Sequence, residues 1–335
     1  MIHNLLQSAP SLLNFWIFFG LAVLLLFVVL GFVTYGILSE RKIMGFMQMR
    51  IGPNQIGGKW GLLQTVADVL KLLIKEDTIP KKADKPLYIL APVIAFAPAF
   101  MVLATLPFTD AFQFADIGVG LLYYVAVSGI TTIGIVTAGW ASNNKYSLIG
   151  GMRAAAQMIS YEIPLVMSLV GIVLLTGSLN LNEIVAAQEK VWFIFLQPLA
   201  FIVFFIASVA ELNRVPFDLP EAESELVSGY HVEYSGFRWA FFMLSEYVYM
   251  FAMATLTTVL FLGGWNSIPF LDFIPGAIWF GLKFSLVFYV LVWIRVTFPR
   301  IRVDQLMEFG WKVLLPVALV NIFLTALFKE LFNLF

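Results

Sequence analysis

Six carboxylates fall within 23 residues of this chain: Glu211, Asp218, Glu221, Glu223, Glu225 and Glu233. One basic residue, Arg214, lies among them. Acids that close can exchange protons with their surroundings. Two carboxylates about 6 Å apart at an effective dielectric near 20 repel by roughly 2.8 kcal/mol, about two pKa units. Part of such a cluster holds protons near neutral pH, and a charge arriving nearby makes it take up or release one. Glu221, Glu223 and Glu225 alternate. In an extended segment all three share a face, whereas in a helix only Glu221 and Glu225 do. Pro216 and Pro220 argue for a shaped segment. The simpler alternative is a solvated acidic loop that docks a basic partner.

Four more ionisable residues fall inside apolar stretches. Glu162 lies two residues before Pro164, and Glu246, Lys283 and Arg295 occupy later stretches. Each costs several kcal/mol in hydrocarbon unless paired or hydrated, so such residues are functional candidates. Two readings stay open: a structural ion pair such as Glu246 with Arg295, or a hydrated path for protons. Arg295, near a helix end, also has the option of snorkelling to the interface.

The elements that must position these groups are membrane helices. The chain is 61% apolar and 12% charged, with a mean hydropathy of +0.90. Eight apolar runs are long enough to cross about 30 Å of hydrocarbon as helices: 15–38, 87–106, 119–140, 154–175, 191–210, 239–262, 276–298 and 313–332. The runs are continuous, where strands of a membrane barrel would alternate. The expected fold is therefore all-α, one polytopic membrane domain over 1–335. Trp140, Trp192, Trp239 and Trp265 stand at span ends, as an interfacial belt would. No basic stretch precedes the first span and no small-residue cleavage site follows it, so it is expected to remain as a helix.

Lysine and arginine set the orientation. Sixteen lie in the odd-numbered loops and two, Lys190 and Lys329, on the other side. Odd loops should then face the cytoplasm and both termini the outer side. The acidic loop, 211–237, is a local exception on the positive side. The first inward loop carries Gly52-Pro53-Asn54 and Gly57-Gly58 turn signals. Residues 61–76 then read as an amphipathic helix, with Leu62, Leu63, Val66, Val69, Leu70, Leu73 and Ile74 on one face. It suits a surface anchor, or a doorframe for a lipid-like substrate.

Several chemistries are excluded. The chain has no cysteine and two histidines, His3 and His231, both outside the spans. It cannot ligate an iron–sulfur cluster through thiolates or pair histidines on haem within the membrane. No Gly-rich nucleotide loop follows a strand. Electrons would have to come from a partner.

The run Glu40–Asn54, ERKIMGFMQMRIGPN, followed by the amphipathic helix, resembles the first signature of the quinone-channel membrane subunits of respiratory complex I, the NADH:quinone oxidoreductase. Residues Glu211–Phe237, ELNRVPFDLPEAESELVSGYHVEYSGF, resemble the second. The resemblance implies a quinone-access chamber that admits quinone, as substrate, from the membrane. Glu40, Arg41, Arg50, Asp68 and Asp77 match charged residues around the chamber. Glu211, Asp218, Glu221, Glu223, Glu225 and Glu233 match an acidic funnel beside it, and Glu162, Glu246 and Lys283 the path from there into the membrane. Arg295 joins this set on its place in the seventh run. The resemblance also implies that this chain binds no cofactor itself, with iron–sulfur clusters and flavin in partner subunits. It implies peripheral iron–sulfur and quinone-site subunits at the cytoplasmic face, small membrane subunits and antiporter-like subunits alongside, lipid, and no nucleic acid. The expected location is the inner (plasma) membrane of a bacterium, ahead of the mitochondrial inner membrane.

Other classes are a free-standing ion transporter or channel, a homologous subunit of a membrane-bound hydrogenase or related dehydrogenase, and a structural anchor for a peripheral arm. Recovery as a lone chain would favour the transporter. A bound quinone would argue against a hydrogenase, and replaceable carboxylates would favour the anchor.

Overall fold

Long apolar runs become long helices. The computed structural model describes residues 12–110, 112–220, 223–267 and 273–332, and no β-strand occurs among them. Glu221 therefore lies outside the described residues, as does the side chain of Glu223. Seven helices are long and apolar enough to cross a membrane. We label the main helices α1 (Leu12–Met47), α2 (Gln64–Ile74), α3 (Lys85–Met101), α4 (Gly120–Ala141), α5 (Lys145–Thr176), α6 (Pro198–Glu211), α7 (Gly236–Phe261), α8 (Gly276–Thr297) and α9 (Leu315–Phe332). A helix at Val303–Phe309 and a π-helical turn at Gly310–Leu314 lead into α9.

The expected span at 191–210 takes another form. It is a four-residue helix, Phe193–Leu196, followed by the 14-residue α6. Gln197 between them leaves helical geometry, at φ −133° and ψ 60°. Pro198 explains the break: it has no N–H for the preceding turn and disfavours helical geometry in the residue before it. The amphipathic helix is also shorter than residues 61–76. Gly61 takes φ +64°, a left-handed turn, and Lys75 is extended, so regular helix spans only α2. Leu70, Leu73 and Ile74 on that helix are exposed.

Helix α7 sits at the centre, with every residue from Val248 to Phe261 buried. It packs on α3, α8 and α1, while α3–α4–α5 form a consecutive layer and α5 also meets α6 and α9. Small residues permit the closest crossings. A Cβ on Gly134 of α4 would lie 2.6 Å from the Ala95 nitrogen of α3. Two helices outrun their expected spans. Helix α1 continues nine residues past Leu38, and α5 begins nine residues before Ala154. These extensions carry Glu40 and Arg41 on α1 and Arg153 on α5, on helices longer than a membrane crossing requires.

Candidate functional site

The acidic loop is strapped down. Gln157 of α5 donates through Nε2 to the carbonyls of Ala210 (2.7 Å) and Phe217 (2.8 Å) and to Asn213 Oδ1 (3.1 Å). Ser147 donates to the Tyr230 carbonyl at 2.9 Å, and Tyr88 to that of Glu233 at 2.7 Å. Tyr88 and Tyr234 stack, with ring centroids 4.2 Å apart. The Gln157 amide, its two hydrogens shared among these acceptors, thus holds two backbone carbonyls that would otherwise need water. The loop is therefore a shaped part of one end of the bundle.

Arg214, the lone cation of that loop, is the hub. It is 6% exposed, and Glu40 of α1 is 1% exposed. Arg214 Nη1 donates to Glu40 Oε1 at 2.8 Å and Oε2 at 3.0 Å. Its Nε lies 2.6 Å from Glu246 Oε1 on α7, a charge contact without hydrogen-bond alignment. Tyr247 donates to Glu40 Oε2 at 2.7 Å, and its ring lies 4.4 Å from the guanidinium carbon of Arg214. Arg295 Nη1 of α8 completes the shell of Glu40. Buried Glu40 and half-buried Glu246 thus face two arginines. Burial works against the charge on Arg214, but Glu246 and Glu40 outweigh it and hold the guanidinium protonated. Such charges stay buried only as a mutually satisfied set.

The acids of the loop are less uncompensated than their local sequence suggests, because their cations come from elsewhere. Arg300 donates to Asp218 at 3.0 Å, and Arg153 to Glu225 at 2.7 Å. Burial pushes the Asp218 carboxyl above its usual range, with Arg300 pulling the other way. Glu233 accepts from Asn144 Nδ2 at 2.6 Å. Burial of His231 lowers its pKa to about 4, so it is neutral at physiological pH.

A cavity runs from this hub into the bundle. It has about 40 Å³ of room for the centres of water-sized spheres, enough for a few waters. Glu211, Glu246, Ser128, Thr131, Ser245 and Tyr249 are among its walls. Ser128, beside Glu211 in the wall, donates to the Val125 carbonyl at 2.9 Å, and Glu162 lies near enough to Glu211 for their charges to interact. Glu162 packs against α4, where a Cβ on Gly129 would lie 3.1 Å from Glu162 Oε1. Glu246, Glu211 and Glu162 therefore follow one another through the polar interior.

Other expected site residues lie around this core. Arg41 pairs with Asp68 of α2 at 2.6 Å, and Arg238 with Asp77 at 3.0 Å, tying the segment between α1 and α3 to α1 and α7. Arg50 donates to Gln48 at 2.7 Å on the surface. Lys283 is not among the acids. It donates to the carbonyls of Gly264 (3.0 Å) and Asn266 (2.6 Å) beyond the far end of α7, with Trp192 4.2 Å from its nitrogen. No group of three or more metal-ligating side chains occurs among the described residues.

Sequence reading missed Arg214, Tyr247 and the hydroxyl groups of the cavity. Arg214 had a signal, as one cation among six acids. The hydroxyls had a weaker one: Tyr124, Ser128 and Thr131 recur at helical spacing in an apolar span, as do Ser245 and Tyr249.

A model of the NADH dehydrogenase family matches residues 20–326. A protein of Bacillus cereus strain B4264, named as a subunit of NADH-quinone oxidoreductase, is 83% identical over 332 residues, 99% of this chain and 100% of its own length. Its namesake from Bacillus thuringiensis strain Al Hakam is 82% identical over 332 residues, with the same coverage. Matched in both ways over nearly its whole length, the chain belongs to the NADH dehydrogenase family.

Proposed function

We infer that the chain, as a membrane subunit of NADH-quinone oxidoreductase, forms the quinone-access chamber and couples quinone reduction to proton translocation through its carboxylates. The observation that carries this reading is the Arg214 hub, in which a guanidinium held by Glu40 and Glu246 adjoins a cavity walled by Glu246 and Glu211. Reduction of a quinone takes up two electrons and two protons, and its first stage places negative charge in the chamber. Charge arriving near Arg214 or Arg295 competes with Glu40 and Glu246 for those cations, which favours protonation of the carboxylates. Glu246, Glu211 and Glu162 then pass the change inward. Glu40, Arg41, Arg50, Asp68 and Asp77 line the approach, and α2 lies on the cytoplasmic membrane surface with its exposed apolar face in lipid.

In this reading the chain crosses the membrane eight times. The eighth crossing is α6 with the short Phe193–Leu196 helix before it. Both termini face outward, and the acid-rich end faces the cytoplasm of a bacterium, against peripheral subunits that carry the iron–sulfur clusters and flavin. Small membrane subunits, antiporter-like subunits and lipid cover the exposed apolar helix faces, such as Phe15, Phe19 and Phe27 of α1.

Neutralising Glu221, Glu223 or Glu225 one at a time in the assembled complex tests the proposal. Coupled quinone reduction should fall in these variants while NADH oxidation by a water-soluble acceptor persists. Unchanged turnover and pumping in all three would sink it.

A further inference from the structure

Within the cavity between Glu246 and Glu211, two hydroxyls from different helices form their own hydrogen bond. Thr131 Oγ1 of α4 and Tyr249 Oη of α7 are 2.5 Å apart, and either can donate. Both residues wall the cavity that Glu211 and Glu246 share. Both are buried, Thr131 at 5% and Tyr249 at 8% exposure. A third hydroxyl, that of Tyr124, is fully buried, faces Glu211 and Tyr249, and has no protein hydrogen-bond partner. A buried hydroxyl left unsatisfied is costly, and a polar space of this size holds water. Apolar side chains fill such a volume more cheaply, so stability alone gives no reason for hydroxyls from two helices to meet here.

We propose that the Thr131–Tyr249 hydroxyl pair, with water in this cavity, is the relay that carries protons between Glu246 and Glu211. A carboxylate can hold a proton but cannot pass it across a gap without a bridging group that both donates and accepts. A hydroxyl does both. A proton arriving from the Glu246 side binds one oxygen of the pair. That hydroxyl's original proton moves to the second oxygen, and the second oxygen's proton leaves through water towards Glu211. Each oxygen finishes with one hydrogen, the hydrogen bond between them has reversed, and no electron moves. Rotation of both hydroxyls resets the pair, so it passes one proton per reset. Water in the cavity that Ser128 and Glu211 both line carries the proton to the Glu211 carboxyl at the far end. Thr131 and Tyr249 sit on two helices that wall the cavity, so a small shift between α4 and α7 would open or close the relay.

This proposal rests on Glu211 and Glu246 taking part in coupling, and the test separates the two ideas. Thr131→Val, Thr131→Ser, Tyr249→Phe and Glu211→Gln are made in the assembled complex and reconstituted in vesicles. Quinone-linked turnover, proton movement and the solvent deuterium isotope effect are measured, normalised to NADH oxidation by a water-soluble acceptor. Thr131→Val and Tyr249→Phe should lower coupled turnover about tenfold and raise the isotope effect, while Thr131→Ser, which keeps the hydroxyl, stays near the parent. The Thr131 pair decides the matter even if Tyr249→Phe fails to assemble. Normal turnover and pumping in Thr131→Val, or an equal loss in Thr131→Ser, would overturn the relay. If Glu211→Gln is impaired in that case, only the relay falls. If Glu211→Gln is also silent, the coupling route itself falls.

Discussion

Replacing Glu40 by glutamine keeps its shape and removes its charge, which makes it the sharpest perturbation of the Arg214 hub. Glu40 accepts from Arg214 with both oxygens at 2.8 and 3.0 Å, from Tyr247 at 2.7 Å and from Arg295. Glutamine retains one acceptor oxygen and turns an amide donor towards a guanidinium. Arg214 then keeps Glu246 as a carboxylate in contact, while half-buried Arg295 loses the Glu40 carboxylate. Removing one partner from a buried charge set costs about 3–5 kcal/mol, and each 1.4 kcal/mol is about a factor of ten. The segment 212–220, which Arg214 anchors between α6 and the rest of the loop, should then open about a hundredfold to several thousandfold more often. Hydrogen exchange of peptides from that segment, measured in the assembled complex, reads this directly, because exchange through local opening scales with the open population. Peptides from the outer half of α7 serve as the internal control. Protection changed by less than about threefold in 212–220 would show that Glu40 does not hold the loop, and the energetic reasoning would fail.

Further outcomes follow from the same physics. His231 is kept neutral by burial, with its pKa lowered from 6.5 to about 4. As pH falls below 6.5 the open form takes a proton that the native form refuses, so stability present above 6.5 is lost progressively down to about 4. At pH 5 the segment 226–236 should be weakened by about 2 kcal/mol relative to pH 7, and His231→Gln should remove that increment from its hydrogen exchange. Gly150→Ala should prevent assembly or lower thermal stability by about 1–3 kcal/mol, because its Cβ would lie 2.6 Å from Gly229 Cα, backbone against backbone. Gly31→Ala, with nothing within 4 Å, should assemble normally in the same thermal assay. Lys283→Met leaves the carbonyls of Gly264 and Asn266 without their donor. It should loosen residues 263–267 in exchange experiments while the acid-rich end stays protected, at about 1–3 kcal/mol for each orphaned group.

The bundle was legible in the sequence because apolar length is a direct physical requirement of the membrane. Seven of the expected runs return as continuous helices, and the eighth differs where Pro198 follows Gln197 and breaks the turn. What hydropathy could not give was helix beyond the hydrocarbon. The extension of α1 through Glu40 and Arg41 is polar, so a hydropathy reading ends the span at Leu38. The acids of the site were visible as residue types in an unusual density. Their partners were not, since Arg153, Arg300 and Glu40 lie 60 or more residues from Glu225, Asp218 and Arg214, and Arg295 reaches Glu40 from α8. A local count of charge sees only Arg214 and reads the segment as bare. The cavity hydroxyls were hidden for a related reason: Thr131 and Tyr249 become a pair only when two spans cross.

The central claim is that the carboxylates beside the Arg214 hub link quinone reduction to proton movement. Proton translocation per NADH oxidised, in vesicles containing the assembled complex with Glu211→Gln, tests it most directly. Quinone-linked turnover and translocation should fall together by about tenfold or more, while NADH oxidation by a water-soluble acceptor is retained. Parent-like turnover with an unchanged proton yield in that variant would contradict it.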